Sequence, residues 1–146
     1  MASVQDVAAY ILGKRAEMTA MKLQKLVYYS KAWHLVWTDE SLFPERIEAW
    51  ANGPVAPELY RKHRTMFMVR DGDIKGNAQA LSEDERASID AVLAHYGDMK
   101  AAQLSDLTHR EMPWRDARGD VPVGAFCQTE ITEAAMAEFY QSLLNQ

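Results

Sequence analysis

The sequence predicts a mainly α fold, a compact single-domain helical arrangement with a central buried helix and a small β element. Three observations carry this. Apolar residues recur at helical spacing in most long segments. One segment, 19–37, is apolar on two nearly opposite sides, as a helix buried between neighbours is. A single stretch, 45–51, alternates with strand period. The 146 residues, 48% hydrophobic and 25% charged, suffice for one domain over 1–146. A chain of this size buries about 68–70% of its unfolded surface, so it needs no disulfide or metal to fold.

The elements follow in order. Residues 3–15 read as a helix, with Val4, Val7, Ala8 and Ile11 on one face and Ser3 with Asp6 as a cap. Thr19 opens the central helix. Leu23, Leu26, Val27, Tyr29, Trp33 and Trp37 form its broad apolar arc, and Met21, Tyr28, Ala32 and Leu35 the opposite stripe. Its Lys22, Lys25 and Lys31 are expected to snorkel along the edges to solvent or a partner. In the weak strand 45–51, Ile47, Ala49 and Ala51 share one face and Arg46, Glu48 and Trp50 the other. Asn52-Gly53-Pro54 breaks the chain, and Pro57 suits the first turn of a helix from Glu58 to about Phe67. Asp71-Gly72 between Met68–Arg70 and Asp73–Lys75 signals a short hairpin. Ser82 and Glu85 form a capping box for a helix with Ile89, Val92, Leu93 and Tyr96 inward, closed by Gly97. Lys100–His109 is a shorter helix. Residues 113–128, with Pro113, Gly119, Pro122 and Gly124, read as irregular. Thr132 caps a last helix carrying Met136, Phe139, Tyr140, Leu143 and Leu144.

Several function classes are excluded. One cysteine, Cys127, rules out an internal disulfide and any zinc site needing two or more thiolates. Cysteine-poor usage fits a reducing cytoplasm. The charge-free runs reach nine residues, as in Ala49–Pro57, so no segment crosses a bilayer, and no signal peptide is expected. A formal charge of -5 opposes non-specific nucleic-acid binding. That charge divides as +3 over 1–38, -4 over 39–60, +3 over 61–75 and -7 over 76–146. An acidic second half either faces a basic partner or presents solvated helix faces.

No catalytic constellation emerges. His34, His63, His95 and His109 have no helical spacing for a metal pair. His34 reads as a packed histidine or a buried acid–base group, the packed form taking precedence. Cys127 reads as a quiet thiol. No Gly-x-Ser-x-Gly elbow or phosphate loop occurs. Glu83, Asp84 and Glu85 are explained by the helix start they occupy. Arg61-Lys62-His63-Arg64, flanked by Tyr60 and Phe67, is a nucleic-acid contact or, more simply, a solvated face. Trp33 and Trp37 read as core, whereas Trp50 and Trp114 are open to either core burial or a binding surface.

Lys22-Leu23-Gln24-Lys25-Leu26-Val27-Tyr28-Tyr29, continuing to Ala32-Trp33-His34-Leu35, is distinctive. So is Ile47-Glu48-Ala49-Trp50 followed by Gly53-Pro54-Val55 and Pro57-Glu58-Leu59-Tyr60. Together they resemble the Panacea domain, the SocA-like antitoxin family also seen in phage-associated GepA proteins. Leu107-Thr108-His109 with Pro113-Trp114 is similar to its looser later motif. The resemblance covers about 3–144 by order of elements, and its specific part is 22–60. Asn52 and Ala56 stand where the family often carries aromatic, basic or aliphatic residues.

The resemblance implies a helical domain without enzymatic activity or cofactor, which neutralises a cognate protein toxin by direct binding. The family's toxins include alarmone-synthetase-like proteins that shut down translation, and one member delivers its toxin to a protease as an adaptor. Lys25, Tyr28, Trp50, Gly53, Pro54, Val55, Tyr60, His109 and Trp114 are the expected partner-binding residues, with no metal site. Gly53 and Pro54 shape a corner, and the aromatics anchor a partner or the core. The acidic second half, Asp106, Glu111 and Asp116 among it, is expected to face a basic toxin, with Lys25, Lys31 or 61–64 on acidic rims. The alternatives are a protease adaptor, a DNA-binding autoregulator, or an enzyme using His34 or His109. Homo-oligomerisation is left open.

Overall fold

The computed structural model describes residues 1–145. It is 58% helical, with seven helices and two small sheets among those residues. The order is α1 (Val4–Arg15), β1 (Glu17–Thr19), α2 (Ala20–Thr38), β2 (Ile47–Trp50), β3 (Gly53–Val55), α3 (Pro57–His63) and β4 (Met68–Arg70). One 3-10 turn (Ala78–Ala80) precedes α4 (Glu83–Tyr96), α5 (Ala101–Arg110), α6 (Met112–Arg118), β5 (Glu130–Ile131) and α7 (Glu133–Leu144).

The helix starts are those the sequence marks. Ser3 and Asp6 cap α1 reciprocally, Ser82 and Glu85 do the same for α4, and Thr19 and Thr132 accept from the third backbone amide of α2 and α7. Helix α2 is the axis of the molecule. It packs on α4 and α7 and touches α1, α3, α5, β1 and β3. Every residue from Leu23 to Leu35 is buried. One continuous cluster of buried side chains joins α1, α2, α4 and α7.

Its centre is an aromatic group around one carboxyl. Tyr29 stacks on Tyr96 with centroids 4.1 Å apart, and Trp33 Nε1 donates to Tyr96 Oη at 3.0 Å. Tyr29 and Tyr140 hydroxyls donate to Glu111 Oε1 at 2.8 and 2.7 Å, and Tyr28 Oη lies 3.0 Å from Tyr140 Oη. Burial raises the Glu111 carboxyl above its ordinary value, against the lowering effect of the two tyrosine donors. Glu111 therefore faces inward and corrects its expected place on an acidic binding face.

Other expectations change as well. Met68–Arg70 pairs with Glu17–Thr19, not with Asp73–Lys75. The Asp71-Gly72 turn directs the chain onto Ala16, whose carbonyl accepts from Asp71 N, and Met18 and Val69 are both buried across the new pair. Gly53–Val55 does more than break the chain: it returns along β2 as a strand, while β5 pairs on the other side of β2. Helix α3 stops at His63, because His63 O accepts from Met66 N and the chain turns so that Phe67 O receives Ala20 N. Within 113–128, Met112–Arg118 is helical, with Pro113 in its first turn and Gly119, at φ +55°, ending it. The Arg118 guanidinium then ties down the following loop by donating to Ala49, Pro122 and Ala125 carbonyls at 3.0, 2.8 and 2.7 Å. Trp37 is 45% exposed, unlike Trp33. Lys25 and Lys31 do not snorkel: both are buried along their whole length.

Candidate functional site

A cleft of about 300 Å³ opens between the first turns of α2, the β2–β3 turn, α3 and the loop after α6. Its walls are apolar. Trp50 meets the edge of Tyr60 with centroids 4.9 Å apart, and Tyr60 in turn contacts the His63 ring at 5.5 Å. Met21, Val55, Phe126 and Cys127 complete the lining.

The turn that carries Trp50 is held from behind. Trp114 Nε1 donates to Trp50 O at 2.8 Å, and Ser105 Oγ donates to Asn52 O at 2.6 Å. Between them, His109 Nε2 lies 3.2 Å from Ala51 O, its ring packed on Trp114 with centroids 3.9 Å apart. Three successive carbonyls thus receive side chains from α5 and α6, which fixes the turn and with it the Trp50 ring. On the outer side, Trp50 Nε1 donates to Glu48 Oε1 at 2.8 Å, and Arg46 pairs with Glu48 at 3.1 Å.

Gln24 fixes the other wall. Its amide accepts from Ala56 N at 2.9 Å and donates to Ala56 O at 3.3 Å, joining α2 to the start of α3. The same Gln24 Nε2 sits 2.9 Å from His63 Nε2, so His63 accepts there and holds its proton on Nδ1. Burial lowers the His63 imidazole below its ordinary value, in keeping with a neutral ring.

Lys25 forms the floor. It is 1% exposed, and its ammonium donates to Pro54 O at 3.2 Å, the one acceptor in reach among the described residues. Burial brings it down to about 7. The lysine fits because position 53 has no side chain. A Cβ there would stand 2.5 Å from Lys25 Cε, and φ of +125° is open to glycine alone at low cost. The Gly53-Pro54 pair therefore both admits the lysine and supplies its acceptor.

Of the cleft's lining residues, Phe126 is 79% exposed and Met21 and Met66 partly so; Phe67 and Met68, next along the chain from Met66, are also exposed. Of the exposed cations Arg61, Lys62 and Arg64, Arg64 borders the cleft, and Arg61 pairs with Glu58. An apolar cleft with a cation at its edge suits a partner with acidic and apolar character.

The structure thus brings Lys25, Trp50, Val55 and Tyr60 together at one cleft, with Gly53 and Pro54 against Lys25 and His109 and Trp114 behind the turn as supports. Tyr28 does not join them. It is buried at 1% exposure and spends its hydroxyl on Tyr140, so it serves the core. Sequence reasoning missed Gln24, Met66 and Phe126, and treated His63 as part of a solvated basic run. The buried polar pair Gln24–His63 had no local signal, and Phe126 sits in a loop without periodicity. Elsewhere, His34 is a packed histidine, 2% exposed with Nδ1 2.8 Å from Ser88 Oγ. No grouping of metal-ligating side chains occurs among the described residues.

Residues 23–115, from the first turn of α2 into α6, match the family model described as antitoxin SocA-like, Panacea domain. The matched span includes the floor and supports of the cleft but not Phe126. No curated protein and no solved structure matches the chain.

Proposed function

The chain belongs to the SocA-like Panacea-domain antitoxin family, and from that premise we propose that it neutralises a cognate protein toxin by direct binding, as one domain and without catalysis, in the cytoplasm. The contact face is the cleft over Lys25. The observation that carries this is a largely apolar cleft, edged by Met21, Met66, Phe126 and Arg64, beside a rigidly braced turn. Binding faces concentrate their energy in a few aromatic anchors, and Trp50, Tyr60 and Phe126 have that character. Methionine side chains at the margin adapt to more than one partner shape. A translation-inhibiting, alarmone-synthetase-like toxin is one partner class within this reading.

Co-expression with the neighbouring gene tests it. The wild-type chain rescues growth and co-purifies with the toxic neighbour, whereas Trp50→Ala combined with Phe126→Ser fails to do either while keeping its fold. A neighbour that is harmless, or toxic and neither bound nor rescued, sinks the reading.

One observation favours a second reading, in which the chain also delivers the toxin to a protease. Trp37, 45% exposed, stands at a separate polar cleft with Glu40, Asp84 and Glu85. Such a site leaves a second face free for another protein. Rescue that disappears in a protease-deficient host, and in Trp37→Ser, supports delivery; rescue that persists in both supports occlusion alone.

A further inference from the structure

Lys25 has no structural excuse. A buried ammonium carries three donors and a full charge, and a fold that keeps one normally surrounds it with acceptors or a carboxylate. Lys31, on the same helix, shows how this chain does so. Its Nζ donates to Phe43 O at 2.7 Å and Glu45 O at 3.0 Å, pairs with Glu133 at 3.3 Å, and lies 4.3 Å from the Phe43 ring centroid. Lys25 has one carbonyl at 3.2 Å and no carboxylate within ion-pair distance among the described residues. A methionine would fill the same volume with no charge to desolvate. Yet the chain keeps glycine at 53, in a left-handed conformation, and so leaves the space that the lysine occupies. Lys25 also borders an open cleft, its side chain closed over at 1% exposure.

We propose that the cleft is a receptor for an acidic side chain of the toxin, whose carboxylate seats on Lys25 Nζ while apolar neighbours in the same segment pack on Trp50, Tyr60 and Phe126. This rests on the toxin-binding reading above and names the chemistry of the segment that is bound. The incoming carboxylate supplies the acceptor and the countercharge that the fold withholds. Pairing inside an apolar cleft is stronger than at a solvated rim, because little water competes. The exposed Arg64 at the cleft edge draws an acidic segment to the mouth, which affects the rate of encounter more than the final affinity. The lone Lys25 then selects among acidic segments: one whose carboxylate cannot reach the floor leaves the charge buried and unpaired.

Lys25→Met separates this from a structural role. The variant should melt no lower than wild type, yet lose about 100-fold in affinity for the toxic protein encoded beside this chain. Among Asp→Asn and Glu→Gln variants of that toxin, one should lose the same factor against wild type and nothing more against Lys25→Met. Isolated protein gives a second readout: hexanoate should shift the Trp50 indole N–H resonance at lower concentration than hexanamide, and Lys25→Met should erase the difference. Undiminished toxin binding by Lys25→Met, toxin acids that all act independently of it, or equal response to hexanoate and hexanamide would each overturn the proposal. So would a homodimer dispersed by Phe126→Ser, which puts a second copy in the cleft. If wild type does not bind the toxin at all, the functional reading itself falls, an outcome distinct from these.

Discussion

Two lysines six positions apart on α2 occupy opposite kinds of surroundings. Lys31 is stitched to Phe43, Glu45 and Glu133, so one side chain joins the segment after α2 to the start of α7. Lys25 rests on Pro54 O alone beneath an open cleft. Both are buried, and in both burial pulls the ammonium downward, opposed at Lys31 by Glu133. What differs is the company. A buried charge with several partners is a fastener; Lys25, with one carbonyl, is where an incoming carboxylate is proposed to seat. Burial alone does not tell the two apart, and the count of acceptors does.

The largest test of this contrast is Lys31→Met. It leaves Glu45 O without this donor and takes one of two donors from Phe43 O and Glu133, which keep Ser41 Oγ, and should cost about 3 kcal/mol, read as a lower urea midpoint. Were Lys31→Met neutral, the two sites would not differ in kind. Lys25→Met should move the other way, gaining about 2 kcal/mol at pH 7, because a desolvated charge gives way to an apolar chain of similar size. A loss on the scale of Lys31→Met would make Lys25 a fastener too.

pH sharpens the comparison. The Lys25 ammonium titrates at about 7 in the fold and near 10.5 when unfolded, so between these values the unfolded chain binds the extra proton. Stability of the wild type should therefore rise with pH from 7 to about 9.5, by at most about 1.4 kcal/mol per unit from this group. Below pH 7 the penalty is fully present. Above about pH 10 the buried tyrosines, whose hydroxyls burial raises, act in the opposite direction. Lys25→Met should remove most of the slope, leaving what Lys22 and Lys31, also lowered by burial, contribute. Urea midpoints measured at half-unit intervals decide this, and a wild-type curve flat over that window would contradict it.

The smallest effect is on stability at the cleft margin. Phe126→Ser should change folding by no more than about 0.5 kcal/mol, since the ring is 79% exposed, yet weaken toxin binding about tenfold. Equal binding by calorimetry would remove Phe126 from the contact face.

Much of this architecture was legible residue by residue. Ser3 with Asp6 and Ser82 with Glu85 announced two helix starts, because a cap is a local bond made within four residues. The two-sided apolar pattern of 19–37 predicted the buried axis. The strands were harder. Glu17–Thr19 has three residues and no pattern of its own, and its partner Met68–Arg70 lies far along the chain. Pro113 and Gly119 suggested irregularity but bracket a helix, since the same residues that break chains also begin and end helices. Of the expected site residues, those tied to the Gly-Pro corner converged on the cleft. Tyr28 did not, because a tyrosine one position away on a buried helix faces a different neighbour.

The sequence by itself determined the helix starts, the central helix and the family, all of which rest on short-range patterns and on residue types in order. It also named Gly53 and Pro54 as a corner and Lys25 as a candidate contact, without linking them. Only the tertiary structure decided which buried lysine is satisfied and which is not. Acceptors such as Phe43 O, Glu133 and Pro54 O come from other segments, and hydrogen-bond satisfaction is a property of what the chain brings together in space.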